Sequence, residues 1–203
     1  MRHAALGVFG AYIPGEQLDM FTRADCDLSH PHKVCKDASS LFTRAIAHAV
    51  RTGPAPLDLC DDIDRWVANA WDLHEDVAKA VQQSAYEQMD AVKKRGYVLV
   101  ALQNTLYQLG RTASFEEALV NIVMQGGDTD SNAAVCGALL GAVYGESNIP
   151  KEWIEVVMAC KPRFNVPVYK VARPDVYWPQ NIVRLAPRLV EAGMAYGGKR
   201  AYD

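Results

Sequence analysis

The sequence lacks the patterns that mark several common classes of protein. Its 203 residues include no P-loop, no Gly-x-Ser-x-Gly motif, no Cys-x-x-Cys pair, no internal repeat and no low-complexity tract. The longest apolar runs, at 97–102 and 133–144, fall short of the roughly 18–20 residues that a membrane span needs. No convincing signal-peptide cleavage pattern follows the apolar stretch at 4–13. We therefore expect no membrane partner, no P-loop enzyme and no nucleophile-elbow hydrolase.

The chain also has no excess of charge of one sign. It contains 21 Lys and Arg against 24 Asp and Glu, a formal net charge of −3 at pH 7. This balance supplies no attraction to nucleic acid or to anionic membranes, so we expect neither as a partner. The five cysteines are odd in number and widely spaced. That pattern favours free, mostly buried thiols and a cytoplasmic location over disulfides or a zinc site.

Helical periodicity dominates the rest of the sequence. Half of the residues are hydrophobic, which is enough for a sizeable core, and they recur at three- and four-residue spacings. No linker-like shift in composition divides the chain, so we expect one all-α domain over residues 1–203. The predicted helices span residues 34–50, about 61–73, about 75–94, 97–109, 115–123, 132–144 and about 181–192.

Local residues predict where several of these helices begin and end. The Gly-Pro-Ala-Pro run at 53–56 ends the first helix, and either Asp61 or Asp62 caps the start of the second. Gly110 ends the helix that begins near residue 97, which is the most apolar and is therefore predicted to be central. The Ser-x-x-Glu pattern at 114–117 is a capping box.

The C-terminal region is interrupted by prolines. Four of them fall within residues 161–179, which predicts an extended loop with little regular structure. The final helix contains Pro187, so we expect a kink or an early end there.

The run Gln-Gly-Gly-Asp-Thr-Asp-Ser-Asn at 125–132 is the segment with the clearest chemical character. Asp128, Asp130 and Ser131 place three oxygen donors within four residues, and oxygen ligands are what Mg²⁺ and Ca²⁺ prefer. An EF-hand does not fit, because its sixth position lacks Gly and its twelfth lacks Glu. Two interpretations remain open, a cation site and an N-cap for the following helix made by Asp130 or Ser131.

Small residues recur every four positions along that helix, at Ala133, Gly137, Gly141 and Gly145. Each glycine costs about 1 kcal/mol relative to alanine inside a helix, so close packing or ligand access must offset the cost. Close packing against another helix is the favoured interpretation.

The glycine-aspartate segment carries a resemblance to a known family. The run Gly-Gly-Asp-Thr-Asp-Ser-Asn-Ala-Ala at 126–134, continued by the glycine-rich run at 137–145, closely resembles the hallmark of the ADP-ribosylglycohydrolase family. This family includes dinitrogenase-reductase-activating glycohydrolase and the ADP-ribosyl hydrolases. Further stretches that are similar to the family, in the family's order, lie at 1–7, 28–32, 96–102, 173–174 and 177–179.

The resemblance implies a fold, a chemistry and a set of site residues. The fold would be a compact orthogonal bundle of α-helices, and the chemistry Mg²⁺-dependent removal of ADP-ribose from a modified side chain or small molecule. The family uses a two-magnesium centre, in which Asp128, Asp130 and Ser131 would be metal ligands. His30 and Tyr97 would line the ADP-ribose pocket.

The chain departs from the family at its start. The Met-Arg pair at 1–2 corresponds to an internal position of the family, after a front portion that supplies a Thr-Asp-Asp run and the catalytic glutamate. We therefore identify no catalytic residue in this chain and expect an N-terminally truncated member. The acidic cluster at 60–64 falls in the wrong order to replace that run, and helix capping explains it better.

Two functions are compatible with this departure. The first is magnesium-dependent hydrolysis of ADP-ribosyl groups, impaired by truncation or completed by an N-terminal fragment. The second is an inactive module that binds ADP-ribose, a nucleotide-like ligand or a protein partner. Loss of the front helices would also expose apolar surface and favour self-association.

Overall fold

The computed structural model describes residues 2–70, 72–163 and 171–199, and all of its regular secondary structure is helical. No strand occurs within these ranges, which confirms the all-α fold class. No helix there is long and apolar enough to cross a membrane. The described residues form ten α-helices: α1 His3–Phe9, α2 Gly15–Asp27, α3 Lys33–Thr52, α4 Pro56–Ala68, α5 Glu75–Ser84, α6 Val98–Arg111, α7 Phe115–Met124, α8 Thr129–Tyr144, α9 Lys151–Ala159 and α10 Ile182–Lys199.

Helices α3, α6 and α8 form the centre of the fold. Helix α3 packs against α1, α2, α6 and α8, and helix α6 packs against α4, α5, α7 and α8 as well. The largest fully buried side chains come mainly from these helices, which confirms that α6 is central. They include Ile46, Leu99, Leu109, Leu139 and Leu140.

The glycines of α8 lie against α7, as the small-residue spacing predicts. A Cβ atom at Gly137 would lie 3.6 Å from Leu119 Cδ1, and one at Gly141 would lie 3.8 Å from Phe115 Cε2. Helix α7 begins as predicted, because Ser114 Oγ accepts a hydrogen bond of 3.1 Å from the backbone N–H of Glu117. The glycines of α8 therefore pack against α7, but 3.6 and 3.8 Å are ordinary van der Waals distances at which a Cβ would also fit.

The predicted boundaries of α4 and α6 are wrong. Helix α4 starts at Pro56, because proline has no N–H to leave unsatisfied and is tolerated in the first turn of a helix. Asp61 and Asp62 therefore lie inside α4 and cap nothing, and Asp62 instead lies 2.9 Å from His48 Nε2. Helix α6 passes through Gly110 and ends at Arg111.

The predicted helix 75–94 is also wrong in its second half. Helix α5 ends at Ser84, and residues 85–97 form a series of turns. Side chains of α6 satisfy the backbone of these turns: Arg111 donates to Ala85 O, and Gln103 donates to Glu87 O. Tertiary hydrogen bonds thus override a helical pattern that is adequate by local propensity alone.

The N-terminal helices and α9 lie where no helix is predicted, and α10 extends past the predicted end at 192. Pro187 stays inside α10, which continues to Lys199. A Cβ at Gly193 would lie 1.8 Å from Phe9 O, so α10 packs tightly on α1 through a glycine. Of the predicted loop 161–179, residues 164–170 lie outside the described residues. The rest includes a 3₁₀ turn at Asp175–Tyr177.

Candidate functional site

A cleft of about 510 Å³ lies where α1, the end of α2, α3 and the starts of α6 and α8 meet. Four of the five site residues predicted from the sequence line this cleft: His30, Tyr97, Asp128 and Ser131. The remaining one, Asp130, is exposed and does not line the cleft. Residues that are about 100 positions apart in the sequence are thus brought to one cavity.

The start of α8 tests the capping interpretation of the acidic segment. The helix begins at Thr129, so Asp130 and Ser131 lie within its first turn and neither is the N-cap. Asp128 occupies the N-cap position, yet its side chain accepts no capping hydrogen bond. Neither residue is therefore the predicted N-cap, although the Asp130 carboxylate accepts a hydrogen bond from the N–H of Ser131 in the first turn.

The two carboxyl groups of the segment interact with each other. A hydrogen bond with the Asp128 carboxyl lowers the pKa of Asp130, and the backbone N–H of Ser131, which donates to Asp130 Oδ1 at 2.9 Å, lowers it further. Arg95 adds a weaker attraction. A cation bound between the two carboxyl groups would allow both of them to be ionised.

Two glycines fix the path of the chain into this segment. Gly126 and Gly127 have φ angles of +74° and +73°, a region that residues with a Cβ rarely adopt. A Cβ at Gly127 would also lie 2.1 Å from the carbonyl oxygen of Ala91. The backbone of the turn therefore packs directly on the 85–97 segment.

His30 lies just after α2 and lines the cleft. Its Nδ1 is 2.8 Å from Ser29 Oγ, which in turn accepts a hydrogen bond of 2.9 Å from Arg2 Nη2. The backbone N–H of His30 donates to Cys26 O at 2.7 Å. These contacts orient an exposed imidazole, and within the described part of the chain no hydrogen bond involves its Nε2 atom.

Tyr97 is the N-cap residue of α6 and follows Gly96, which has a φ of +77°. Its side chain is 38% exposed, so the ring is accessible from the cleft. Burial raises the pKa of the phenol, and Tyr97 is therefore a neutral hydroxyl at physiological pH. A neutral phenol can stack on a ring and can donate a hydrogen bond.

The structure places a further polar pair in the cleft that the sequence does not indicate. His3 lies with its Nε2 2.8 Å from Asp25 Oδ2, and Arg2 Nε lies 2.6 Å from the same oxygen. Burial lowers the pKa of His3 more than Asp25 raises it, so the imidazole is neutral at physiological pH. The pair joins α1 to α2, and no spacing in the sequence could reveal it.

The donor set suits Mg²⁺ chemically but does not make a two-metal centre. Asp128, Asp130 and Ser131 provide three hard oxygen ligands, and an octahedral Mg²⁺ takes about six. No group of three or more His, Cys, Asp or Glu side chains converges in the part of the chain that the structure describes. By number alone, three donors could fill half of the coordination shell of one ion, with water as the other ligands, and they are too few for two ions.

Comparison with known proteins shows the family of this chain. The family model described as ADP-ribosylglycohydrolase matches residues 1–193. An ADP-ribosylarginine hydrolase of Serratia proteamaculans is 38% identical over 66 residues, which is 32% of this chain and 18% of that protein. The ADP-ribosyl-(dinitrogen reductase) glycohydrolase of Rhodospirillum rubrum is 28% identical over 138 residues, which is 68% of this chain and 42% of that enzyme.

A second ADP-ribosylarginine hydrolase, from Pseudomonas putida, is 32% identical over 102 residues and is covered over 22% of its length. The chain thus spans less than half the length of each of these curated relatives. The family model, in contrast, extends over nearly all of the sequence and over every residue of the cleft. The chain belongs to the ADP-ribosylglycohydrolase family.

Proposed function

We propose that the cleft binds the ADP-ribosyl group of a modified target and that the chain takes part in hydrolysis of its glycosidic bond. The observation that carries this proposal is the convergence of His30, Tyr97, Asp128 and Ser131 on one cleft of about 510 Å³. Relatives described as acting on ADP-ribosylarginine and on ADP-ribosylated dinitrogen reductase support the substrate class. We propose in addition that residues 1–203 form one domain.

The polar groups of the cleft divide into two sets with different tasks. His30 presents a free Nε2, and Tyr97 presents a neutral phenol, so both can hold the nucleotide part of the ligand by hydrogen bonds and stacking. Asp128 and Ser131 would hold one Mg²⁺ at the other wall, with Asp130 as a third ligand from outside the cleft. A bound Mg²⁺ supplies charge stabilisation and orients ribose hydroxyls in such sites.

A second candidate is a binding module without hydrolytic activity. The observation that favours it is the donor count, since three side-chain oxygens cannot complete two Mg²⁺ shells and the described residues contain no group of three or more His, Cys, Asp or Glu side chains that could hold a metal ion. A complementing fragment that carries a Thr-Asp-Asp run and a glutamate would supply what the family's chemistry needs. We therefore expect the 203-residue chain alone to bind Mg²⁺ weakly and to release little ADP-ribose from ADP-ribosylated substrates.

The proposal predicts that two substitutions affect ADP-ribose binding differently, one through direct contact with the ligand and the other through Mg²⁺. His30→Ala should weaken ADP-ribose binding by about tenfold with or without Mg²⁺, because it removes about one hydrogen bond from the ligand itself. Asp130→Ala should leave binding without Mg²⁺ unchanged and abolish the gain that Mg²⁺ gives. Calorimetric titration with ADP-ribose, with and without Mg²⁺, measures both.

Asp58→Asn is the matched control, because Asp58 is an exposed acidic residue in the first turn of α4, outside the cleft. It should change neither titration. Binding that is the same with and without Mg²⁺ and insensitive to Asp130→Ala would support the inactive module. No binding of ADP-ribose by the wild-type chain would refute the proposed function, and rapid Mg²⁺-dependent release of ADP-ribose would refute the expected low activity.

Self-association also remains a prediction. Apolar side chains at the start of α10 are about half exposed, with Ile182 at 58%, Val183 at 57% and Leu185 at 48%. Burial of such surface between two copies would be favourable by about 25 cal/mol per Å². Sedimentation velocity should show a concentration-dependent dimer, whereas a monomer at all concentrations would contradict the prediction.

A cytoplasmic location is the last part of the proposal. All five cysteines are free thiols in the structure, and two of them, Cys26 and Cys136, are buried. Free thiols of this kind are typical of proteins that fold in a reducing compartment.

A further inference from the structure

Asn104 lies in the middle of α6, outside the cleft. It contacts two segments that end at cleft residues, the 85–97 segment and the turn that precedes Asp128. Its side chain is fully buried, at 0% exposure. Asparagine is seldom buried to this degree unless its polar atoms are all bonded. The amide of Asn104 makes three hydrogen bonds, which connect α6 to these two segments.

Two of the three hydrogen bonds fix the 85–97 segment. Asn104 Oδ1 accepts from the backbone N–H of Met89 at 2.7 Å, and Nδ2 donates to the carbonyl oxygen of Met89 at 3.0 Å. The side-chain amide thus pairs with Met89 as a neighbouring backbone would. This pairing fixes the segment that leads through Ala91 to Tyr97.

The third hydrogen bond reaches the turn before Asp128. Asn104 Nδ2 also donates to Gln125 Oε1 at 2.6 Å. Gln125 is the C-cap residue of α7 and directly precedes Gly126. One buried amide therefore connects the segment that ends at Tyr97 with the turn that ends at Asp128.

The same two segments touch a second time through their backbones. A Cβ at Gly127 would lie 2.1 Å from Ala91 O, and one at Gly126 would lie 3.4 Å from Val92 Cγ2. Because this contact leaves no free space, a shift of either segment has to displace the other. The amide of Asn104 is the hydrogen-bonded part of the contact and sets where the two segments meet.

We propose that Asn104 is a positioning residue that holds Tyr97 and Asp128 at their mutual distance across the cleft. The inference rests on the proposed function, since it takes these two residues as parts of one ligand site. Asn104 touches no ligand itself and acts through Met89 and Gln125.

Gln103 is the matched control for this role. It is 1% exposed and also lies on α6, and its Nε2 donates to Glu87 O at 3.1 Å. It therefore anchors the same segment, but no hydrogen bond connects it to the turn before Asp128. A variant at Gln103 removes a comparable buried amide and leaves the link between the two walls intact.

The experiment compares Asn104→Leu with Gln103→Leu in the full chain. Amide hydrogen exchange followed by NMR should show at least tenfold faster exchange at Met89 in Asn104→Leu, with shifted amide signals at Gly126 and Gly127. Gln103→Leu should leave these signals in place. ADP-ribose, titrated in the presence of Mg²⁺, should bind about tenfold more weakly to Asn104→Leu and within twofold of wild type to Gln103→Leu. Equal effects of the two substitutions on exchange and binding would overturn the proposal.

A third variant keeps the test decisive if Asn104→Leu does not fold. Gln125→Ala removes only the link to the turn, so it should shift the amide signals of Gly126 and Gly127 while Met89 stays protected. Unchanged glycine signals in Gln125→Ala would contradict the positioning role. If the wild-type chain binds no ADP-ribose, the proposed function fails, and the exchange and amide signals alone decide the role of Asn104.

Discussion

Replacement of Gly127 by alanine should lower the free energy of unfolding by roughly 2–5 kcal/mol. Two costs add at this position. The φ of +73° is unfavourable for any residue with a Cβ, by about 1–2 kcal/mol. The new methyl group would also lie 2.1 Å from Ala91 O, and overpacking of this kind costs about 1–3 kcal/mol. Urea denaturation followed by circular dichroism measures the loss.

Gly96 supplies the control that separates the two costs. Its φ of +77° is nearly the same, but no atom lies within 4 Å of the position that a Cβ would occupy. Gly96→Ala should therefore lose only about 1–2 kcal/mol. If the two substitutions cost the same, the close contact between Gly127 and Ala91 is not a constraint on the fold.

The Gly127→Ala variant also distinguishes an effect on ligand binding from an effect on stability. Gly127→Ala displaces the turn that leads to Asp128, so the Mg²⁺-dependent part of ADP-ribose binding should be lost even in molecules that remain folded. Wild-type titrations at a temperature well below the midpoint of unfolding provide the reference. A Gly127→Ala protein that is less stable but binds normally would show that the turn tolerates displacement.

The family motif and the periodicity predicted much of this architecture. Helix α3 and the capped start of α7 depend on local sequence, and both are confirmed. The resemblance also predicted a site of five residues, and the structure places four of them, His30, Tyr97, Asp128 and Ser131, in one cleft, whereas Asp130 does not line it. Whether they bind the ligand and the metal stays a prediction.

The sequence failed where tertiary contacts decide the local structure. Residues 85–94 have an adequate helical pattern, but the buried amides of Gln103 and Asn104 satisfy their backbone as turns. In the sequence, both amides are simply polar residues within an apolar helix, and nothing there shows that they bind the backbone of a turn. The His3–Asp25 pair was missed for a related reason, because its two residues lie on separate helices and share no spacing.

The starts of α4 and α8 were predicted wrongly because the residues near them, proline and aspartate, can each play two structural roles. Pro56 can end a helix or begin one, and here it begins α4. Aspartate before a helix can be a cap or a ligand, and the sequence left these alternatives open for Asp130. The structure excludes the cap, since α8 starts before Asp130. Such ambiguities are settled by packing and not by propensity.

The largest electrostatic effect is expected at Asp37, on α3. Its carboxylate is 0% exposed and lies 2.8 Å from Arg23 Nη1 and 3.0 Å from Lys33 Nζ. It also accepts a hydrogen bond of 2.8 Å from the backbone N–H of His74. One buried carboxylate thus connects α2, α3 and the residue before α5.

Asp37→Asn should lower the free energy of unfolding by about 2–4 kcal/mol at pH 7. Removal of one partner from a fully buried ion pair costs about 3–5 kcal/mol. The expected value is lower because the side chains of Arg23 and Lys33 are 33% and 41% exposed, so water partly stabilises the charges that remain. Urea denaturation of both proteins at pH 7 gives the difference.

The stability gap between wild type and Asp37→Asn should also depend on pH in one direction. Burial raises the pKa of Asp37, but hydrogen bonds from Lys33, His74 and Arg23 outweigh it and hold this pKa below its ordinary value. A carboxyl with a lowered pKa in the folded state contributes full stability above its unfolded pKa of about 3.9. That contribution is lost as the pH falls through the folded pKa, so the gap should narrow below about pH 4.

Asp72 is the matched control, because it contacts the same lysine from the surface. Its Oδ2 lies 3.3 Å from Lys33 Nζ, and its side chain is 65% exposed. Asp72→Asn should change stability by no more than about 1 kcal/mol, as solvated ion pairs do. A similar loss in both variants would mean that the burial of Asp37 adds nothing to its ion pairs. A gap between wild type and Asp37→Asn that stays constant down to pH 2 would show that the charge of Asp37 does not stabilise the fold.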